Sequence, residues 1–341
     1  MARSRPSAWW LAAATLAGGA ALAWRVGIWE RVRGVRHPPD VVFRGTCDAS
    51  SGVPLTTRLV LVASDEDNIL RAYDARAGGD PLWESDFSSE LRLPIRTGKS
   101  QPETDIEAAT RLGDYAYFLT SHGRDHSGRR KPERFRLFAT TTGERKTDVR
   151  MVGTPYASLL DDLLSEPKLQ PFALEDAARE AAGHETAFNI EGMTARMEGG
   201  VWIGFRSPVP DGNALAVPLL NPERVVHGAR AEFGTPALLS LGGLGIRGLS
   251  TWKDRYLVIG GPASEAGPTH LFLWDGRQSV KRVDGINLSE LNPEGLLASP
   301  TTGEALVLSD DGQERVEGTS CKKLEESGKQ RFRGRWLKLG L

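Results

Sequence analysis

The chain has 341 residues, of which 40% are hydrophobic, 26% charged and 7% aromatic, and this composition suits one large globular domain or two small ones. The formal net charge of −1 excludes a global field that would favour nucleic acid or an anionic membrane. The 38 glycines and 20 prolines are typical of many short strands joined by turns.

The N-terminal segment has the pattern of an export signal. Two arginines, Arg3 and Arg5, precede an apolar run over residues 8–23. The run has the length of a signal-peptide apolar region, and residues 21–23 (Ala-Leu-Ala) fit a cleavage site. The alternative is an uncleaved membrane anchor, because basic residues and two tryptophans follow closely. With either outcome we expect the domain to be exported, and so periplasmic or secreted.

The rest of the chain predicts a linker and one β-domain. Residues 24–40 contain two adjacent prolines and are expected to form the linker, so the domain spans 41–341. Strand candidates begin at Val41. The apolar runs 59–63 and 69–73 flank an acidic turn and predict a β-meander.

A short motif repeats along the domain: a polar residue, an apolar one, an acid and a small residue, followed after a spacer by an apolar strand. The copies are Asp105-Ile-Glu-Ala-Ala109, Asn189-Ile-Glu-Gly-Met193, Asn292-Pro-Glu-Gly-Leu296, a variant at 246–249 and a diverged copy at 47–53. The turns at 105, 189, 245 and 292 lie 84, 56 and 47 residues apart, and the shorter spacings match four-stranded blades. The sequence therefore predicts an all-β fold, a β-propeller of about five blades, with six as the alternative.

Residues 156–182 interrupt the strand pattern. Apolar residues recur at helical spacing over 157–164 and 172–182, and Gly183 is a natural helix stop. We expect a helical insertion between two blades, packed through its apolar stripe.

Only two cysteines are present, Cys47 and Cys321, in the first and last segments of the predicted domain. An exported chain enters an oxidising compartment, so we expect a disulfide that reinforces a blade shared by the two ends of the domain. The alternative is two unpaired thiols.

The repeated motif also supplies candidate metal ligands. Within each copy the polar residue and the acid are two positions apart, which places both side chains on one face of an extended strand. The candidate ligands for calcium or a similar hard cation at one mouth of the central channel are Asp105, Glu107, Asn189, Glu191, Asn292 and Glu294. The alternative is a charge-balanced structural network, because Arg247 holds the place of the acid in the fourth copy.

The loop at 121–136 is the second candidate site. It is locally basic, and with Arg247 it predicts a place for a phosphate or carboxylate group; the candidate residues are His122, Arg124, Arg130, Arg134 and Arg247. The alternative is a solvated hairpin tip. His122, Asp125 and His126 are also potential metal ligands, although loop spacing does not orient them.

The motifs together resemble a bacterial family of proteins of unknown function, DUF3616. The resemblance rests on residues 47–53, 65–68, 105–109 with Ser121 and His122, 189–193 and 292–296, and extends roughly over 41–339. It implies a β-propeller-like domain and brings no established activity or catalytic residue. The Glu-Gly-Leu turn is also similar to phytase-like and esterase-like propellers.

The first functional hypothesis is an exported propeller that binds a ligand or partner at a polar, acidic channel mouth, the partner being a protein, a glycan or a small molecule. The second is a calcium-type phosphoester hydrolase, and the third is a cell-envelope scaffold. No nucleophile elbow, zinc-protease motif, Walker loop or dinucleotide fingerprint is present in the sequence, so the catalytic residues and the enzyme class stay undefined. We expect a monomer that binds no nucleic acid.

Overall fold

The computed structural model describes residues 40–93, 102–264, 267–299 and 301–340. The predicted signal peptide or anchor at 1–23 lies outside the described residues, as does the predicted linker apart from residue 40. Within the described ranges no helix is both long and apolar enough to span a membrane.

The described chain is built mainly of short strands. In chain order these are β1 (Val41–Arg44), β2 (Ser51–Pro54), β3 (Leu59–Ala63), β4 (Ile69–Asp74), β5 (Trp83–Asp86), β6 (Ile106–Leu112), β7 (Tyr115–Thr120), β8 (Leu137–Thr141), β9 (Met151–Tyr156), β10 (Asn189–Ala195), β11 (Val201–Ser207), β12 (Ala214–Leu219), β13 (Ala237–Leu239), β14 (Gly245–Trp252), β15 (Arg255–Gly261), β16 (His270–Trp274), β17 (Val280–Arg282), β18 (Pro293–Ser299), β19 (Glu304–Ser309), β20 (Arg315–Val316), β21 (Thr319–Ser320) and β22 (Arg331–Lys338).

Twenty of these strands form five four-stranded antiparallel sheets. Four sheets use consecutive strands: β2–β5, β6–β9, β10–β13 and β14–β17. The fifth has the order β1-β22-β19-β18, so it combines both ends of the domain. The first strand of each sheet packs on the first strand of the next, and β18 packs on β2, which closes the ring. The predicted five-bladed propeller is confirmed.

The fifth blade closes the propeller in the predicted way. Strand β1 pairs antiparallel with β22, with Phe43 opposite Phe332. The Cys47–Cys321 disulfide, with its Cα atoms 5.8 Å apart, joins the segment after β1 to the segment before β22. The predicted pairing is confirmed, and it links positions 274 residues apart. A buried disulfide of this kind is typical of proteins that meet an oxidising compartment.

The hydrophobic core lies between blades. Five buried clusters fill the five junctions between neighbouring sheets, and aromatic side chains are prominent in several of them. At the fifth blade's junction with the first, for example, Phe43 stacks on Phe332 at 4.8 Å between ring centroids, and Tyr73 meets both edge-on. Alternating strand residues thus face an adjacent blade, which explains why most strands are buried on both sides.

The predicted helical insertion lies between β9 and β10. It contains α1 (Leu159–Ser165) and α2 (Leu174–Ala177), and a further helix, α3 (Pro222–Val226), follows β12. Leu163 and Leu174 are buried in the cluster shared by the second and third blades. The second helix is shorter than predicted at both ends. Ala173, just before it, has a left-handed backbone with a φ of 51°. After it, the backbone N–H of Phe188 donates to the Ala177 carbonyl.

Candidate functional site

The first strand of each blade begins at one end of the propeller, here called the upper face, and ends at the lower face. Four of these strands carry a β-bulge near their beginning, at matching positions in β6, β10, β14 and β18. The residue left unpaired at each bulge is the charged residue of the repeated motif: Glu107, Glu191, Arg247 and Glu294. A β-bulge changes the direction of the side chain at the extra residue. The charged residue of each motif therefore points away from the paired residues of its sheet.

Arg247 is the hub of a buried ion-pair network. Its Nε lies 3.0 Å from Oε2 of Glu191, and its Nη2 bonds to Oε1 of Glu294. Its Nη1 donates to Oδ1 of Asn292 at 3.1 Å. One guanidinium therefore connects the third, fourth and fifth blades. Burial lowers the pKa of Arg247, but the charges of Glu191 and Glu294 outweigh that effect and the net shift is upward.

Glu191 is the charge-balanced acid of this network. Nη1 of Arg206 lies 2.7 Å from its Oε1, and the Asn189 amide donates to the same oxygen at 2.9 Å. Burial alone would raise the pKa of Glu191, but the guanidinium groups of Arg206 and Arg247 hold it below its ordinary value. Glu191 is thus ionised and fully partnered.

Glu294 behaves differently although it contacts the same arginine. Burial raises its pKa to about 8 against the opposing charge of Arg247, and the nearby Asp310 adds to the rise. Asp310 is held by the Asn292 amide at 2.9 Å. Because Glu294 has one guanidinium partner where Glu191 has two, its negative charge is compensated less.

Two carboxyl groups, Asp48 and Asp310, form a pair beside the disulfide. Burial raises the pKa of Asp48 to about 9, and a hydrogen bond shared with Asp310, together with the charge of that residue, adds to the rise. Asp48 is only 3% exposed. The pair therefore holds a proton at neutral pH, which removes one negative charge from this side of the upper face.

Three further carboxyl groups form an acidic cluster. Oxygen atoms of Asp65, Asp105 and Glu107 all lie within 4.8 Å of one another. Burial raises the pKa of Glu107 well above its ordinary value, and the charges of Glu191 and Asp105 add to the rise. Burial also raises the pKa of Asp65, and the charges of neighbouring carboxylates add to the rise. Close carboxylates of this kind are stabilised by a bound cation or by protonation.

Asp105 is the member of this cluster that protein groups hold in place. Ser121 donates its hydroxyl to Oδ2, and Nη1 of Arg134 lies 3.2 Å from the same oxygen. The backbone of Asp105 has a φ of 61°, a left-handed conformation that aspartate adopts more readily than most residues. Glu107 has no such support, since none of the described residues donates a hydrogen bond to it.

The cluster opens into a cavity of about 330 Å³ on the upper face. Asp65, Asp105, Glu107 and Asn189 line it, together with the cationic groups Arg124, Arg134, Arg206 and Lys322. Two buried oxygens, Oδ1 of Asp65 and Oδ1 of Asn189, have no hydrogen-bond partner among the described residues. A buried acceptor without a donor is costly, so these atoms are suited to a ligand that supplies a donor or a positive charge.

Only part of the basic loop at residues 121–136 lies at this cavity. Arg124 and Arg134 line it, and Nη2 of Arg134 also lies 3.2 Å from Glu103. Arg130 lies over the Phe135 ring at 4.7 Å and does not line the cavity. His122 is buried, its Nδ1 lies 2.9 Å from the Thr120 carbonyl, and burial lowers its pKa to about 4. The imidazole is therefore neutral at physiological pH.

The six metal ligands predicted from the sequence separate into two groups. Asp105 and Glu107 belong to the acidic cluster with Asp65. Glu191, Asn292 and Glu294 bond to Arg247. Asn189 bonds to Glu191 and also lines the cavity. On the Arg247 side of the upper face these residues thus contact arginine, and the assignment of the six residues to a metal stays a prediction.

Sequence reasoning missed Asp65, Arg206, Asp310 and Asp48 as members of the site. The first three lie at or just beyond the ends of the second strands, β3, β11 and β19, which return to the upper face beside the bulges. A polar residue at that place in successive blades is the signal that would have found them.

The sequence comparisons place the chain in a family. The family model described as "Protein of unknown function (DUF3616)" matches residues 139–321, more than half of the chain. The chain belongs to the DUF3616 family. The matched part of this DUF3616 protein contains the Glu191, Arg247 and Glu294 network, while the cluster of Asp65, Asp105 and Glu107 precedes it. No curated protein matches the sequence.

Solved structures show only a distant likeness. The glutaminyl cyclase of Myxococcus xanthus aligns with a TM-score of 0.44 and 11% identity, covering 88% of this chain and 95% of its own. The PQQ-bound aldose sugar dehydrogenase of Streptomyces coelicolor gives a TM-score of 0.43 and 11% identity, covering 89% and 100%. A putative glucose dehydrogenase of Thermus thermophilus gives 0.38 and 14%, covering 88% and 100%. With TM-scores this low, these likenesses carry no argument about function.

Proposed function

We propose that this DUF3616 protein is exported and binds a small polar ligand at the mouth of its propeller channel, through a divalent cation of the calcium type held by Asp65, Asp105 and Glu107. Export is supported by the buried disulfide and by the signal-like pattern of residues 1–23. Binding is supported by the upper cavity, whose volume is in the range of small-molecule sites.

The observation that carries the proposal is an excess of negative charge: among the described residues, the only cation that contacts the three clustered carboxyls is Arg134, which pairs with Asp105. Three carboxyl groups converge within 4.8 Å, and one of their oxygens, Oδ1 of Asp65, is buried and receives no hydrogen bond from the part of the chain that the structure describes. Hard divalent cations prefer carboxylate and amide oxygens, and Oδ1 of Asn189 adds an amide oxygen to the same cavity. The proposed site leaves out the acids on the Arg247 side, because they already contact guanidinium groups.

The test is thermal unfolding of the purified protein, disulfide intact, in EDTA and then in millimolar Ca²⁺, Mg²⁺ or Mn²⁺. A cation that binds only the folded state raises the unfolding midpoint by mass action. We expect the rise to disappear in Glu107→Gln and in Asp65→Asn. The matched control is Glu198→Gln, because Glu198 is an exposed acid in the β10–β11 turn that pairs with Arg196 at 3.4 Å and does not line the upper cavity. An unchanged midpoint with all three ions, or a rise that survives in both variants, would refute the cation site.

A metal-dependent phosphoester hydrolase is the second candidate. It is favoured by the presence of Arg124, Arg134 and Lys322 in the same cavity as the carboxylates, since a phosphate bridging cation and arginine is a common arrangement. Hydrolysis of p-nitrophenyl phosphate that needs Ca²⁺ and is lost in Glu107→Gln would support it. Cation binding without any turnover would leave the binding function and dismiss the hydrolase.

A further inference from the structure

A second cavity lies on the lower face, at the junction of the fourth and fifth blades. Its volume is about 580 Å³. The β14–β15 turn, the residues from β17 to Ile286 and the end of β22 line it. It shares no lining residue with the upper cavity, and the proposed function above makes no use of it.

The lining of this cavity is largely apolar. Leu273, Val283 and Ile286 are only half-buried, and they pack on the cluster that contains Trp252 and Leu339. An alkyl or aryl group in the cavity would remove this apolar surface from water, which is the main source of affinity in such sites.

Trp252 contributes a buried hydrogen-bond donor to the wall of this cavity. The residue is 1% exposed and lines the cavity, and none of the described residues offers an acceptor to its indole Nε1. Buried indole N–H groups usually find an acceptor. An oxygen of a bound ligand is one group able to supply it.

The rim of the cavity is basic. Five cationic residues line it, against two acids, Asp254 and Asp284; the cationic residues are Lys253, Arg255, Lys281, Arg282 and Lys338. Arg255 is 3.9 Å from Asp254, whereas no carboxylate of a described residue lies within 4.0 Å of Lys281, Arg282 or Lys338. The three cations are exposed, so they are available to an anion.

We propose that the lower cavity binds a small amphipathic anion, an alkyl or aryl carboxylate. Its apolar part contacts Leu273, Val283 and Ile286, and its carboxylate meets the cations of the rim. The apolar lining disfavours a fully polar anion such as free phosphate, and the excess of cations disfavours an apolar cation. The concave shape and the volume suit a small molecule.

The experiment is isothermal titration of the full-length protein with decanoate below its micelle concentration. Decyltrimethylammonium has the same chain with the opposite charge, and butyrate has the same head group with little apolar surface. We expect saturable binding of decanoate at one site, and no measurable binding of the other two probes.

Variants locate the binding. The double variant Lys281→Gln with Arg282→Gln should weaken decanoate binding at least about tenfold, because charge-assisted hydrogen bonds are lost. Val283→Asp, which places a carboxylate against the alkyl chain, should abolish it. Trp252→Phe, which keeps a ring but removes the N–H donor, should weaken it a few-fold. Lys146→Gln, at an exposed lysine between β8 and β9, is the control and should bind as the wild type does.

Three outcomes would overturn the proposal. The first is the absence of decanoate binding to a protein whose unfolding midpoint shows it to be folded. The second is equal binding of decyltrimethylammonium, which would indicate non-specific apolar contact. The third is decanoate binding that Val283→Asp and the double variant leave unchanged. None of these results depends on Asp65, Asp105 or Glu107, so the lower cavity is tested independently of the upper one.

Discussion

Arg247 holds in the fourth blade the bulge position that Glu191 holds in the third, and its Nε lies 3.0 Å from Oε2 of Glu191. The two blades thus present opposite charges at equivalent places, where a symmetric ring would have presented two acids. Four equivalent acids on the upper face would have needed cations for balance. A single replacement by arginine supplies one cation that contacts both Glu191 and Glu294, whereas no cation of a described residue pairs with Glu107.

The stability of the protein is predicted to depend on this arginine. Arg247→Met should lower the free energy of unfolding by about 3–5 kcal/mol, because it leaves Glu294 without its cation and Glu191 with only one. Urea unfolding followed by circular dichroism measures the change. Arg179→Met is the control: Arg179 is 62% exposed and pairs with exposed acids on α2, so its loss should cost less than about 1 kcal/mol. Equal losses in the two variants would show that the buried network adds no stability.

The pH dependence of stability should report the proton held by Asp48. The pKa of this carboxyl is about 9 in the folded state and ordinary, near 3.8, in the unfolded chain. Between these values the folded protein binds more protons than the unfolded one, so the free energy of unfolding falls as pH rises. The contribution is about 1.4 kcal/mol per pH unit for each proton retained.

Asp48→Asn removes this contribution while it preserves the shape of the side chain. We therefore expect the variant to gain stability relative to the wild type as pH rises from 5 to 8, measured by urea unfolding at each pH. Asp254→Asn is the control, since its side chain is 83% exposed and it should leave the slope unchanged. A wild-type slope that Asp48→Asn does not alter would mean that another group holds the proton.

The disulfide is predicted to contribute strongly because of the long stretch of chain that it closes. The two cysteines are 274 residues apart and both are buried. Replacement of Cys47 and Cys321 by serine should lower the free energy of unfolding by about 3–5 kcal/mol on the chain-entropy account. The measurement is a denaturant titration with and without dithiothreitol. The reductant should destabilise the wild type and have no effect on the double serine variant; a wild type that is unaffected after complete reduction would contradict the prediction.

Much of the architecture was predictable from local patterns. The apolar strands, the repeated acid-glycine turn and the position of the two cysteines sufficed to predict five blades and a closing blade with both ends of the domain. They sufficed because each pattern follows from a local rule: the alternation of strand side chains, the turn preference of glycine, and the reach of one disulfide.

The composition of the site was less predictable. The motif indicated Asp105 and Glu107, but their third partner, Asp65, comes from a neighbouring blade, and the partner of Glu191, Arg206, comes from the next strand. Sequence spacing carries no information on which residues of separate strands meet across a ring. The departure at Arg247 was the exception, because a change of charge sign within a repeat is visible without a structure.

The third and fourth blades are in close contact at Gly204, so a larger residue there is predicted to destabilise the protein. Gly204 lies in β11 opposite Gly192, and a Cβ atom at Gly204 would stand 2.6 Å from Cγ2 of Ile246 and 2.9 Å from Cδ1 of Leu249. Gly204→Ala should therefore lower the free energy of unfolding by about 1–3 kcal/mol through overpacking. Gly328→Ala is the matched control, because its Cβ would meet nothing within 4 Å, and we expect a change within about 0.5 kcal/mol.

A double-mutant cycle identifies the contact responsible. Ile246→Ala removes the Cγ2 atom that the new methyl group would strike, so its cost should be smaller in the Gly204→Ala background than in the wild type. The two substitutions then couple favourably, since the added methyl group fills part of the cavity that the shortened side chain leaves. Additive costs would show that the blades can move apart to accept the methyl group, and that the glycine pair does not set their spacing.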